Sequence, residues 1–184
     1  SVGWAGCTRG FDGGHGILER PRSDIPPDLQ TEFEQYRLSL EQYYGEERAK
    51  QMFVRRHITI FPNIQLMEFK LRVIQPVSVD RTIVYEFPVE LEGVDAEYNK
   101  AIRTRLLKEI SISSGSPVSG MVNADDVEVY ARTQSGLASG HMEWIRLARG
   151  IHREVEERTH EWSGQDMDEL PQRAIYREWK RRMK

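Results

Sequence analysis

The feature that most constrains the fold is a pair of alternating runs between residues 68 and 91. Phe69, Leu71 and Val73 alternate with Glu68, Lys70 and Arg72, and Ile83, Tyr85, Phe87, Val89 and Leu91 do the same against Glu86 and Glu90. A period of two sends successive side chains to opposite faces, so each run predicts a strand with one apolar and one wet face. Pro76 to Asp80 joins the runs into a long antiparallel hairpin. A one-residue slip would turn the apolar set into water, which specifies the register and places this hairpin, by expectation, at the core of an antiparallel sheet. Pro88 has no N–H to donate, so its strand belongs near an edge or a bulge. His57-Ile58-Thr59-Ile60-Phe61 reads as another short strand, broken by Pro62-Asn63.

Helical periodicity flanks these strands. Pro26-Pro27-Asp28 is a helix start, followed by Leu29, Phe33, Tyr36, Leu40 and Tyr43 at steps of three and four. Gly45 interrupts that face, and residues 46–53 form a second helical piece. Asp95 caps a helix to Ile110 that carries Tyr98, Ile102 and Leu106 at steps of four. Ser111 to Gly120 is a breaker segment, after which Asp125-Asp126 opens a helical stretch to about Ser139. A last helix is expected from Asp166 to Met183, with Pro171 near its first turn. Its late cations, Arg177, Lys180, Arg181, Arg182 and Lys184, suit the negative end of a solvated helix. The glycine-rich start, residues 11–16, is read as strand and turn. Helices segregated against an antiparallel sheet make an α+β protein.

Composition closes off several functions. The 184 residues suit one domain, 1–184, with a substantial core, and 30% charged against 39% hydrophobic residues is a globular mix. A net charge of −3 gives no reason to expect nucleic acid as a partner, and no apolar run reaches membrane-spanning length. Cys7 is the sole cysteine, which rules out an internal disulfide and makes the cytoplasm the default location. One cysteine also cannot hold an iron–sulfur cluster.

The chemistry-bearing residues are few. The histidines are His15, His57, His141, His152 and His160. His152 and His160 stand eight apart in a charged stretch and could share a helix face at the surface. His57 opens an apolar strand, where a hydrogen-bonded pocket histidine is the reading by residue type. Asp125-Asp126 read alone is a helix start. No Ser-His-Asp order, P-loop or dinucleotide fingerprint is present.

Order and spacing across these residues resemble a known family. The run Gly115-Ser116-Pro117-Val118-Ser119-Gly120-Met121-Val122-Asn123-Ala124-Asp125-Asp126-Val127-Glu128, ending in Gln134-Ser135-Gly136-Leu137, is similar to the iron-ligand region of the α (large) subunit of Rieske-type aromatic-ring-hydroxylating dioxygenases. Arg56-His57-Ile58-Thr59-Ile60-Phe61-Pro62-Asn63 resembles that family's Phe-Pro-Asn strand, and Arg149-Gly150 with Tyr176-Arg177-Glu178-Trp179 and Met183 its C-terminal layout. The resemblance implies a helix-grip (Bet v1-like) fold, a partial domain here, with Asp126 as the carboxylate on a mononuclear Fe(II). It implies a substrate pocket touched by His57, by Met67 ten residues later, and by Val122 and Ser116, with Asp125 in a supporting role. Val122 and Ser116 match positions that are often aromatic in the family, and their small side chains leave room for a larger or more polar ring.

The resemblance further implies a [2Fe–2S] Rieske centre and two histidine ligands upstream of this region, and the chain is read as the C-terminal part of the catalytic domain. The implied partners are an aromatic substrate and O2, NAD(P)H acting through a reductase or ferredoxin, other α subunits in a homo-oligomer (a trimer in the parent), and a β subunit in some members. The alternative is a non-enzymatic helix-grip module that binds small ligands.

Overall fold

The computed structural model describes residues 6–21, 30–94, 96–110, 120–141 and 143–184, without the side chains at 105, 107–110 and 120–127. One eight-stranded sheet organises them: β1 (Cys7–Phe11), β2 (His15–Arg20), β3 (Arg55–Ile60), β4 (Ile64–Met67), β5 (Lys70–Ser78), β6 (Arg81–Pro88), β7 (Val155–Arg158) and β8 (Glu161–Gln165). The strand order is β6-β5-β4-β3-β2-β1-β8-β7 and neighbouring strands pair antiparallel. Five helices pack around it: α1 (Gln30–Tyr44), α2 (Glu46–Met52), α3 (Ala96–Ile110), α4 (Gly120–Ala138) and α5 (Leu170–Arg182). The expected α+β class is found.

The hairpin's register follows its alternation, with Leu71 opposite Phe87 and Val73 opposite Tyr85. Its position does not. β6 is an edge strand, so the hairpin closes one side of the sheet, and the centre is β4-β3-β2-β1. Alternation is blind to rank within the sheet, and on this edge strand it also misses the buried face: Tyr85 and Phe87 are exposed while Glu86, paired with Arg72, is half-buried. Pro88 correctly marked an edge. The Phe61–Pro62 peptide between β3 and β4 is cis.

Two boundaries also differ from expectation. α4 begins at Gly120, so Asp125-Asp126 falls in its second turn and does not open it. α5 begins at Leu170, four residues later than the charge pattern indicated. His152 lies in a short 3-10 turn and His160 in the turn between β7 and β8, so they share no helix, and both are exposed as the surface reading expects. The start signals Pro26-Pro27-Asp28 and Asp95, and residues 111–119 of the breaker segment, lie outside the described residues.

Two packing events hold the layers. α5 lies across β1, β2 and β8 where two glycines let it approach closely: a Cβ on Gly10 would stand 2.9 Å from Leu170 Cδ1, and one on Gly16 would stand 2.7 Å from Pro171 Cβ. Leu170 is fully buried in consequence. Its cationic end is ion-paired as well as solvated, Arg177 to Glu154 at 2.7 Å and Arg181 and Arg182 to Glu178, each at 2.6 Å. Elsewhere Phe33, Tyr98, Ile102 and Leu106 form a cluster between α1 and α3, joined by Phe53, Phe69, Leu91 and Val94. The Phe33 and Phe53 rings meet edge to face, 4.9 Å apart. Asn99 fixes the entry to α3, accepting the Leu91 N–H and donating to the Leu91 carbonyl.

Candidate functional site

His57 and Met67 are direct cross-strand partners. Residues opposite one another in an antiparallel pair point to the same face, with Cα atoms about 4.5–5.5 Å apart. The same pairing continues in both directions: Thr8 opposite Leu18, Leu18 opposite His57, Met67 opposite Lys70. One row of side chains thus crosses five strands. Thr8 is buried at the α5 end, and Leu18, His57, Met67 and Lys70 are half-buried beyond it.

The adjacent row on this face is Gly10, Gly16, Thr59, Gln65, Arg72 and Glu86. Arg72 donates through Nε to Glu86 Oε1 at 2.7 Å. α5 therefore grips the glycine end of a face whose other end, on β3 to β6, carries polar and amphipathic groups around His57.

Burial pushes the His57 imidazole below its usual range, and the neighbouring cations Arg55, Arg20 and Lys70 push in the same direction. The ring is neutral near pH 7 and can donate one hydrogen bond and accept another. Two of those cations are compensated, Arg20 by Asp166 at 3.0 Å and Arg55 by Glu68 at 2.7 Å. Lys70 has no hydrogen-bond or ion-pair partner among the described residues. The hairpin's alternation marks it only as a wet-face residue. No sequence signal marks it, because the tight turn at Glu68-Phe69 that returns Lys70 opposite Met67 contains no turn-forming residue type.

The opposite face carries Ile58 and Leu66, which line a cavity of roughly 700 Å³ beneath α1, α2 and the start of α3. Phe33, Tyr36, Phe53 and Tyr98 complete much of its wall. His57 and Met67 do not line it, because their register turns them the other way.

Of the remaining residues nominated from sequence, Val122, Asp125 and Asp126 belong to α4, but their side chains lie outside those described, and Ser116 lies wholly outside. The other histidines do not converge. His15 Nδ1 accepts the Phe61 N–H at 3.2 Å, and His160 pairs with Asp12. Among the described residues no three His, Cys, Asp or Glu side chains gather where they could hold a metal ion. No described helix is long and apolar enough to cross a membrane.

Known proteins share both the sequence and the architecture. The chain is 31% identical over 160 residues to the α subunit of toluate 1,2-dioxygenase from Pseudomonas putida, a match covering 83% of this chain and 33% of that protein. It is 31% identical over 151 residues to the large subunit of 2-halobenzoate 1,2-dioxygenase from Burkholderia cepacia, and 28% identical over 147 residues to that of anthranilate 1,2-dioxygenase from Acinetobacter baylyi. These matches cover 79% and 77% of this chain and 30% and 29% of those proteins. No family model matches the chain.

Among solved structures, a naphthalene 1,2-dioxygenase variant bound to phenanthrene superposes with a TM-score of 0.77 at 15% identity, covering 96% of this chain and 41% of that one. The same enzyme type with indole in its active site gives 0.76 at 16% identity, with the same coverage. The structural likeness shows the fold. The chain spans about a third of the length of the curated relatives it matches. Sequence likeness at this level over four fifths of the chain places it among the α, or large, subunits of ring-hydroxylating dioxygenases.

Proposed function

We propose that this chain is part of the catalytic domain of an oxygenase α subunit that adds dioxygen to the ring of an aromatic carboxylic acid. The observation that carries this reading is the likeness to three relatives named for toluate, 2-halobenzoate and anthranilate, each a substituted benzoate. In this reading the chain supplies the substrate side of the active site and one metal-binding carboxylate, Asp126, with Asp125 orienting the segment around it. His57, Met67, Val122 and Ser116 shape the ring pocket.

The described residues do not by themselves fit an iron ion, since no set of three donors gathers among them. Both histidines of a two-His, one-Asp site therefore come from elsewhere in the subunit in this reading. The complete protein then requires a [2Fe–2S] centre, an NAD(P)H-linked reductase or ferredoxin, and neighbouring α subunits, with or without β subunits, in the cytoplasm.

The work of this chain's own residues is binding and orientation. Neutral His57 accepts or donates a hydrogen bond to a ring substituent, and the Met67 thioether packs against the ring. Small side chains at 122 and 116 leave space for a substituent. The test is turnover of benzoate by the complete oxygenase with reductant and isotopically labelled dioxygen. A ring-dihydroxylated product carrying the label supports the reading. Reductant consumption with no labelled product, for benzoate and its ring-substituted relatives alike, contradicts it.

A further inference from the structure

The register of the central strands sets three chemically different groups in one line. His57 on β3, Met67 on β4 and Lys70 on β5 are consecutive cross-strand neighbours. At about 4.5–5.5 Å per strand, the His57 and Lys70 backbones stand about 10 Å apart with the Met67 thioether between them. That interval suits a single benzene ring lying over Met67, with one substituent toward each end. All three side chains are half-buried, so a ring held there is partly removed from water and an ion pair formed there is stronger than one at the open surface.

The charge balance is uneven along this line. The cations Arg20 and Arg55 on the same face are each tied to a carboxylate, Asp166 and Glu68. In the next row Arg72 is tied to Glu86. Lys70 is the cation of this face left without a partner among the described residues. A half-buried lysine side chain beside an apolar floor, unpaired among the described residues, is a receptor for an anion. Its donors are mobile and it acts as a point charge, which suits a single carboxylate on a substrate that turns over.

We infer that Lys70 is the specificity-determining residue that holds the substrate's carboxylate, while Met67 supports the ring and His57 faces the ring's far substituent. The inference rests on the reading that the substrate is an aromatic acid, and it adds which side chain reads the acid. It assigns selectivity to the start of β5, a position that sequence patterning marked only as solvent-facing.

The experiment compares benzoate with benzamide, its uncharged near-isostere, on the complete oxygenase. Dissociation constants come from equilibrium dialysis and KM and kcat from turnover, for the wild type and for Lys70→Met, Lys70→Gln and Lys70→Arg. The wild type should prefer benzoate about tenfold or more, the scale of one hydrogen bond to a charged group. Lys70→Met and Lys70→Gln should lose that preference through a raised KM for benzoate, leave benzamide within about twofold, and keep the melting temperature. Lys70→Arg should retain the preference. A wild type with no preference for benzoate overturns the aromatic-acid reading and this assignment with it. A wild-type preference that survives in both neutral variants overturns the Lys70 assignment alone.

Discussion

Gly150 lies so close to Asp168 that a methyl group on its Cα would overlap the Asp168 carboxyl. The Asp168 side chain is 1% exposed, accepts the Gln165 N–H at 3.0 Å and is ion-paired with Arg153. Gly150 also adopts a left-handed backbone, φ 79°. Gly45 has a similar φ of 80° with open space around it.

The two glycines give a paired stability prediction. Gly45→Ala should cost about 1–3 kcal/mol for the backbone alone, because its ψ of 157° lies in a region almost confined to glycine. Gly150→Ala, in the left-handed well at ψ 6°, should cost about 1–2 kcal/mol for the backbone and a further 1–3 kcal/mol for steric overlap. Urea unfolding of the 184-residue chain measures both. A Gly150→Ala loss no larger than about 2 kcal/mol, the backbone share alone, would mean that the Asp168 pocket yields freely.

Acid should loosen α5. Arg181 and then Arg182 hold the Glu178 carboxyl down to about 2, against 4.5 for the free group. A lowered carboxylate contributes stability that is complete above its unfolded value and lost as pH falls toward its folded one. Wild type should therefore exceed Glu178→Gln in urea midpoint at pH 7, with the gap shrinking between about pH 4.5 and 2. A gap constant across that range would remove Glu178 from the account. The Asp168 carboxyl is lowered too, by Arg153, so the wild type's own acid limb should extend beyond what Glu178→Gln removes.

Much of the architecture was legible because it rests on periodicity. The β5–β6 register followed from Phe69 to Leu91, and α1 with α2 from Phe33, Tyr36, Leu40 and the Gly45 break. β7 was not legible: all four of its residues are exposed, so Val155-Glu156-Glu157-Arg158 carries no buried alternation. β4 is four residues between two turns, and the turn after it uses a left-handed non-glycine, Glu68 at φ 53°, which no turn signature marks. Strand rank was also hidden, because the pairing of β1 with β8 joins residues about 150 apart in the chain.

For the site, the ten-residue spacing of His57 and Met67 became a cross-strand pair, whereas the charge state of their neighbourhood needed the ion pairs of Arg20 and Arg55. The acid pair is different in kind. Its recognition came from family resemblance, and backbone periodicity alone gives only a helix there.

Substitutions on the His57 face should alter selectivity more than folding. In the complete oxygenase, His57→Ala and Met67→Ala should change product position or substrate range. Val122→Phe should discriminate against larger rings, since overfilling costs about 1–3 kcal/mol, or roughly 5- to 150-fold in relative kcat/KM. Product analysis over a series of substituted benzoates reads all three. An unchanged profile in every variant would place these side chains outside the pocket.

The most direct test of the account is the metal content of Asp126→Ala in the complete oxygenase, measured beside its [2Fe–2S] spectrum and turnover. The account predicts loss of mononuclear iron and of product with the [2Fe–2S] spectrum intact. Full mononuclear iron with sustained turnover in that variant would contradict it.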